Sequence, residues 1–495
     1  MSRQATRPKI ARERRLTLRV FLLQLAFLIP VATTAGERPN VILVLIDDMG
    51  WGDFSCFGNR DIRTENIDRL AAEGIRFEQF YVNSPICSPS RTAITTGQYP
   101  QRWRITSYLD NRAANERRGV AQWLDPRAPV LARFLQANGY ATGHFGKWHM
   151  GGQRDVGDAP LITAYGFDES LTQFEGLGPR LLGIGHTHDG RPPFPVAHKS
   201  DKLGHGPVIW MDRARLTEGF VGSAIQFLDR AASAGKPFYI NVWPDDVHSP
   251  FFPPKERRGD GSQRSLYLGV LKTMDEQLGV LFDHVRNNER LRDNTLIMVC
   301  SDNGPEKGSG SAGPFRGHKT MLYEGGIRSP LIAWGPGVIE KSKAGSANTK
   351  SFLAAIDLVP SLLALTGTAA PPDVAFDGVA LPDVLVGNSL ASRGKPLFFR
   401  RPPDRDAFYG EADLPDLAVR EGKWKLLCEY DGSCVQLYDL DTDRGETANL
   451  ASQQRDITSR LVSMVLDWHK SMPADNGAML SATAAGKKPQ PNSKP

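Results

Sequence analysis

The chain is 495 residues long with 40% hydrophobic and 23% charged residues, enough apolar material for a large folded core and room for two or three domains. A formal charge of +5 invites a nucleic-acid or anionic-membrane partner. Seven basic residues and one acid lie within residues 1–35, however, so beyond them the counts fall from 60 basic and 55 acidic to 53 and 54, and no nucleic-acid partner is expected.

At the start of the chain, Arg3, Arg7, Lys9, Arg12, Arg14, Arg15 and Arg19 precede an apolar run at 20–29, and the small residues Ala32, Thr33, Thr34 and Ala35 follow. This is the layout of a secretory signal peptide, cleaved after residue 35 to leave a chain that begins near Gly36. The run is well short of the roughly 20 residues a spanning helix needs, so no stable membrane anchor is expected. Leu16, Thr17 and Leu18 continue the Arg14-Arg15 pair poorly as a twin-arginine signal, which favours general secretion to a periplasmic or extracellular location. Five cysteines are an odd count for an exported protein, so at least one is unpaired or modified.

Short β-branched and apolar runs then alternate with stretches of helical spacing, which predicts an α/β fold. Strands are predicted at 41–46, 140–145, 238–243 and 296–300. They end respectively in Asp47 and Asp48; in Lys147 and His149; in Asp245, Asp246 and His248; and in Asp302 and Asn303. Helices are predicted at 67–73, 130–138 (stopped by Gly139), 217–232 and 266–287. In open parallel sheets ligands sit beyond the carboxyl ends of the strands, where these four polar clusters would converge. Residues 36–388 read as one large domain, a mainly parallel sheet sandwiched by helices. Within it, 151–210 is Gly- and Pro-rich and poor in periodicity, and predicts a long excursion over the active face.

Residues 389–472 read as a smaller α+β unit, with strands near 417–430 and 435–440 and a helix at 456–469. The polar tail at 473–495 is expected to be disordered. Cys428 and Cys434 bracket a short polar stretch that a disulfide would close into a small loop. Cys56 is uncommitted, and Cys300 ends an apolar run where a buried thiol is the default.

The most specific local pattern is Cys87-Ser88-Pro89-Ser90-Arg91. Pro89 sits where a helix begins and Thr92, Ala93 and Ile94 continue it, which puts Cys87 at a positive helix terminus. With Thr96-Gly97, these residues resemble the signature Cys-x-Pro-x-Arg and Thr-Gly of the formylglycine-dependent sulfatase family. Further blocks resemble that family in its order: Asp47-Asp48-Met49-Gly50-Trp51-Gly52, Gly146-Lys147-Trp148-His149, Ser301-Asp302-Asn303-Gly304 and Lys319-Thr320-Met321-Leu322-Tyr323-Glu324-Gly325-Gly326-Ile327-Arg328. The likeness extends through Trp424-Lys425-Leu426-Leu427, Leu437-Tyr438-Asp439-Leu440 and Glu446-Thr447-Ala448-Asn449-Leu450, so that it covers about 40–450.

The resemblance implies an alkaline-phosphatase-like sheet and hydrolysis of sulfate esters. It implies that Cys87 is oxidised to formylglycine by a maturation enzyme, and that one Ca²⁺ is held by Asp47, Asp48, Asp302, Asn303 and the modified Cys87. Those oxygen donors suit a hard cation on chemical grounds as well. In the mechanism so implied, one hydroxyl of the hydrated aldehyde attacks sulfur and the alcohol leaves; the second hydroxyl then expels sulfate. Arg91 and Lys147 would hold the diol and His149 would accept the proton that drives sulfate release, while His248 and Lys319 would meet the sulfate oxygens and protonate the leaving oxygen. Asp245 and Asp246 would tune His248 or contact substrate, and His318 would be a bystander.

The blocks look closest to arylsulfatases and N-acetylgalactosamine-6-sulfatases, the second through Gly310-Ser311-Ala312-Gly313-Pro314-Phe315 ahead of Arg316 and Lys319. A sulfated glycan or an aryl sulfate is the expected substrate. The rival classes are a phosphomonoesterase or phosphodiesterase of the same superfamily, which would carry two zinc ions, and a non-catalytic glycan-binding relative, which would show a broken nucleophile or metal set. His186-Thr187-His188-Asp189, with His198 and His205 beyond, reads as a solvated loop rather than a second metal site. Trp103 and Tyr108 read as core aromatics.

Overall fold

Seven consecutive buried residues, Asn40–Ile46, form β1 in the interior of a mixed sheet, and their side chains alternate between its two faces. Val41, Leu43 and Leu45 pack with Leu131 and Leu135 of the helix Leu131–Ala137 and with Leu358, Val359 and Leu362 of the helix Ala355–Leu365. Ile42, Val44 and Ile46 pack on the other face with Leu70 of the helix Glu65–Glu73, Phe220 and Leu228 of Leu216–Ser233, and Leu271 and Leu278 of Gln263–Asn287. Both faces of the strand are covered, so it reads as an unbroken apolar run.

The structure, a computed structural model, describes residues 38–173, 175–187, 191–197, 199–403 and 414–476. The predicted signal peptide, most of the predicted tail, His188, Asp189 and His198 lie outside the described residues. After β1 the strands of the large sheet are β2 (Ile75–Tyr81), β3 (Ala141–Gly146), β4 (Glu169–Thr172), β5 (Arg180–Gly185), β6 (Phe194–Val196), β7 (Val208–Asp212), β8 (Phe238–Trp243), β9 (Thr295–Ser301), β10 (Arg328–Trp334), β11 (Ser346–Asn348) and β12 (Leu353–Ala354). The order is β11-β2-β10-β9-β1-β8-β3-β4-β5-β6, with β12 also on β2 and β7 also on β5. From β9 through β4 all neighbours run parallel, whereas β10 is antiparallel to both β9 and β2. This is the mainly parallel, helix-covered sheet expected from the sequence.

Two differences stand out. The stretch 151–210 is not only an excursion, because it extends the sheet through β4 to β7; these strands are short, with Gly183 and Gly185 inside β5 and an exposed β7, so they carry no periodic signal. The second difference is that β2 and β10, absent from the predicted strands, add an antiparallel edge to the sheet.

A separate antiparallel sheet, β13 (Leu397–Arg400), β14 (Leu417–Glu421), β15 (Trp424–Cys428) and β16 (Gln436–Asp439), is packed by the helix Arg455–Ser471. Leu426, Leu437, Leu461 and Val465 share one core with Tyr81, Ala93, Phe352 and Ile356 of the large sheet and its helices. Cys428 is buried on β15 and Cys434 is exposed; neither is bonded, and Cys56, Cys87 and Cys300 are free as well.

Under this small sheet lies a buried charge cluster. Lys425 Nζ bonds Glu324 Oε1 at 3.0 Å and Glu446 Oε1 at 2.8 Å, Arg328 Nη1 bonds Glu324 Oε2 at 3.1 Å, and Tyr81 Oη also donates to Glu324. Burial opposes charge on Glu324, but Lys425, Arg328 and Arg420 outweigh it and hold its carboxyl down at about 2. Glu324→Ala strands Lys425 and Arg328 without this partner, so urea unfolding at pH 7 is expected to show a loss of about 3–5 kcal/mol. A carboxyl depressed on folding stabilises the protein fully above its ordinary range. That contribution of Glu324 therefore disappears as pH falls from 4.5 towards 2, and an acid-unfolding series on the wild type and the variant checks it.

Candidate active site

The neighbouring parallel strands β9, β1, β8 and β3 end at one edge of the sheet, and backbone bonds continue past their last residues. Asp302 N donates to Ile46 O at 3.1 Å, Asp47 N to Asp246 O at 3.0 Å, Val247 N to Asp47 O at 2.9 Å and Lys147 N to Trp243 O at 2.8 Å. The polar clusters are thus tied to one another before any side chain acts. Gly146, at φ +127°, permits the last of these approaches, because a Cβ there would stand 2.0 Å from Trp243 O. Asp48, His149 and Thr320 hold positive φ values of 57°, 54° and 77° without being glycine. Left-handed backbone at non-glycine residues costs about 1–3 kcal/mol each and gathers at functional sites.

Cys87 opens the helix Cys87–Thr96, every residue of which is buried, and its Sγ lies 3.8 Å from Asp48 Oδ1. One turn on, Arg91 reaches three partners: Asp302 Oδ2 at 2.7 Å, Asp47 Oδ1 at 3.1 Å and Lys147 O at 2.9 Å. Lys147 Nζ bonds Asp47 Oδ2 at 2.7 Å, and Lys319 Nζ bonds Asp48 Oδ2. His248 Nε2 stands 3.5 Å from Asp48 Oδ2, with its side chain 30% exposed, so it faces the mouth of the site. His149 is buried, with Nε2 3.2 Å from Leu109 O and 3.5 Å from Glu175 Oε2.

Three carboxylates therefore meet three fixed cations in a water-poor pocket. Burial opposes ionisation of Asp47, yet Lys147 and Arg91 hold it well below the usual carboxylate range. Asp302 goes the other way: burial, then repulsion from Asp47, push it up to about 8. Burial lifts the Cys87 thiol well above its ordinary value in spite of Lys147 and Lys319, so an unmodified thiol here stays protonated at neutral pH and is a poor nucleophile. Burial also brings His248 down to about 4, leaving it neutral at pH 7.

Asp47, Asp48 and Asp302 place carboxylate oxygens within 4.8 Å of one another. Asn303 Nδ2 donates to Asp48 Oδ1 at 2.7 Å, which leaves its Oδ1 buried without a partner. Three carboxylates and the unpaired Asn303 Oδ1 are oxygen donors that fit a hard cation such as Ca²⁺, and the two other groups among the described residues that could hold an ion, Asp47 with Cys87 and His248, and Asp48 with His248 and Glu306, each contain only a single imidazole.

All ten residues expected at the site, Asp47, Asp48, Cys87, Arg91, Lys147, His149, His248, Asp302, Asn303 and Lys319, are brought into this one cluster. Asp245 and Asp246 are both tied to Arg213, at 2.8 Å each, and Thr217 Oγ1 donates to Asp246 at 2.6 Å, while Asp245 Oδ1 is buried without a hydrogen-bond partner. They hold the turn after β8. His186 is half-exposed beside Asp212, and His318 Nδ1 faces Lys319 O at 2.9 Å. Trp103 packs against the core and Tyr108 lies under Arg118.

Two carboxylates at the site were not anticipated. Glu306 accepts from Ser249 Oγ at 2.9 Å and lies 3.7 Å from Lys319 Nζ; its place three residues beyond Asn303 was an available signal. Glu175 lies in a glycine-rich turn between β4 and β5, where no local pattern marks it.

Residues 39–368 match the family model described as Sulfatase, and residues 313–470 match N-sulphoglucosamine sulphohydrolase, C-terminal. The chain is 33% identical over 384 residues to N-acetylgalactosamine-6-sulfatase of Canis lupus familiaris, covering 75% of this chain and 70% of that relative. It is 31% identical over 477 residues to arylsulfatase A of Homo sapiens, covering 87% and 86%. Among solved structures, Ps i-CgsB in complex with k-i-k-neocarrahexaose superposes with a TM-score of 0.73 at 24% identity, over 91% of this chain and 98% of that one, a likeness of fold.

Proposed function

The chain belongs to the sulfatase family and is a sulfuric ester hydrolase, and we propose that it cleaves sulfate monoesters on a carbohydrate with a formylglycine made from Cys87. The observation that carries this is the setting of Cys87: a buried helix-leading residue 3.8 Å from Asp48, enclosed by Lys147, Lys319 and Arg91, with a thiol that its own burial disarms. Oxidation to an aldehyde changes the chemistry at that position, since its hydrate presents two hydroxyls, one to attack sulfur and one to expel sulfate, where the thiol had one sulfur.

Asp47, Asp48, Asp302 and Asn303 would hold one Ca²⁺, whose charge offsets the carboxylates and favours an ionised oxygen on residue 87. The rest falls to the chain's own groups. Arg91 orients Asp47 and Asp302 and, with Lys147, stabilises negative charge at residue 87. Lys319 and His248, on the mouth side, meet the sulfuryl oxygens and the leaving oxygen, the two places where S–O cleavage builds charge. His149 accepts the proton of the remaining hydroxyl when sulfate departs.

For substrate class, the relatives' names point to N-acetylgalactosamine 6-sulfate and to aryl sulfates. A sulfated carbohydrate is the substrate class of this reading, with small aryl sulfates as surrogates. Export with loss of residues 1–35 belongs to the same proposal, and the N-terminus of the secreted protein should begin near Gly36. No helix of the described residues is long and apolar enough to cross a membrane.

Peptide mass spectrometry across Cys87, on protein from its native host, tests the central point. Loss of sulfur with gain of the aldehyde supports it; an unmodified thiol in active protein overturns it.

A further inference from the structure

His149 Nε2 faces two acceptors. Leu109 O, at 3.2 Å, has only lone pairs to offer, and Glu175 Oε2 stands at 3.5 Å. A bare lone pair on Nε2 would confront both, so Nε2 carries the proton. Nδ1 is then the basic nitrogen, and it is buried with no hydrogen-bond partner. Glu175 is itself 1% exposed, and its Oε2 has no hydrogen-bond donor within normal reach. The backbone fixes both residues: Trp148 N donates to Glu175 O at 3.2 Å and Gly176 N to Gly152 O at 3.2 Å, so the two turns that carry them are laced together. Leu109 is held in turn by Ser88 Oγ, at 2.9 Å from its N–H, next to Cys87.

We propose that Glu175 is the positioning residue of His149, keeping its proton on Nε2 so that Nδ1 receives the hydroxyl proton in the sulfate-releasing step; this rests on the function proposed above. In that step the remaining hydroxyl of sulfated residue 87 gives its proton to Nδ1 and its O–H electrons form the C=O bond. The C–O bond to sulfate breaks, and sulfate leaves with the electron pair. The imidazolium so formed has a carboxylate at its other nitrogen, an arrangement that stabilises the charge and holds the ring. Burial raises the Glu175 carboxyl to about 7, against Lys147 and Arg154 and with Asp110 and Asp47, so it carries the charge that faces Nε2 above about pH 7 and loses it below. Burial, Lys147 and Arg91 disfavour an isolated imidazolium at His149, which is why a counter-charge at Nε2 matters.

Rapid-quench kinetics with 4-methylumbelliferyl sulfate separate the two halves of the reaction. Glu175→Gln is expected to release one equivalent of 4-methylumbelliferone per site at close to the wild-type rate, then turn over about 10- to 100-fold more slowly, while intact mass shows one SO₃ retained on the enzyme. Glu175→Asp should recover part of the lost rate. The burst counts assembled sites, so a structural defect, which lowers its amplitude, is told apart from a slow second step. Wild-type turnover without a burst in Glu175→Gln, or equal slowing of both phases, overturns the proposal. In the unmodified protein, ¹⁵N resonances of His149 should report protonated Nε2; the opposite tautomer overturns it too. His149→Ala serves as the control. If it bursts and stalls while Glu175→Gln does not, Glu175 alone is refuted; if it neither bursts nor stalls, the function proposed for the site has failed.

Discussion

Cys87→Ala is expected to abolish turnover and leave the fold standing. Deleting a nucleophile that works as a unit with its neighbours removes about 10⁵-fold or more of kcat, and nothing else within reach of Asp48 offers a replacement hydroxyl pair. Structurally the side chain is dispensable. Cys87 is 2% exposed yet belongs to none of the hydrophobic clusters formed by the described residues, so losing its sulfur costs about 1 kcal/mol. Hydrolysis of an aryl sulfate, measured alongside thermal unfolding, should show activity gone and the transition displaced by a few degrees at most. A fully active variant would refute the mechanism.

Asp302→Ala should lose metal and activity together. Asp302 accepts from Arg91 Nε at 3.0 Å, from Arg91 Nη2 at 2.7 Å and from Asp48 N at 3.1 Å, yet burial and the neighbouring Asp47 still push its carboxyl up to about 8. A third buried carboxylate that cannot comfortably ionise among its neighbours makes sense as a cation ligand. Metal analysis of the wild type should give one Ca²⁺ per chain and the variant none. Thermal unfolding provides a second readout: a ligand at 1,000 times its Kd stabilises by about 4 kcal/mol, so added Ca²⁺ should raise the wild-type transition and leave the variant's unchanged. Undiminished metal content in the variant would strike Asp302 from the ligand set.

What could be foreseen from sequence divides along physical lines. β1, β8 and β9 are buried on both faces, so their apolar runs announce both the strands and, through the polar residues that end them, the edge at which the site lies. The long helices at Leu216–Ser233 and Gln263–Asn287 each pack one stripe against the sheet and keep their 3.6-residue period. β4 to β7 were hidden because strands of three to six residues, interrupted by Gly and partly solvated, have no period to detect. Glu175 was hidden for a different reason: its role depends on distance to His149 across two turns, and neither its spacing nor its neighbours in the chain encode that distance. Asp245 and Asp246 show a second kind of hidden partner. They stand at a strand end like the site's acids, and only the approach of Arg213 from a remote segment reveals that they are occupied.

The helix Cys87–Thr96 is buried along its whole length, and that sets an order of events in the life of the protein. A second macromolecule cannot grip Cys87 and its flanking residues once they lie under the sheet edge, so an enzyme that modifies the cysteine must act on the chain before it folds. If Cys87 is converted as proposed, conversion and folding would compete for the same short interval. On the proposed function, slow synthesis with ample modifying enzyme would give uniformly competent molecules, whereas rapid overproduction would give a mixture that later incubation could not repair, identical in shape and differing at one side chain.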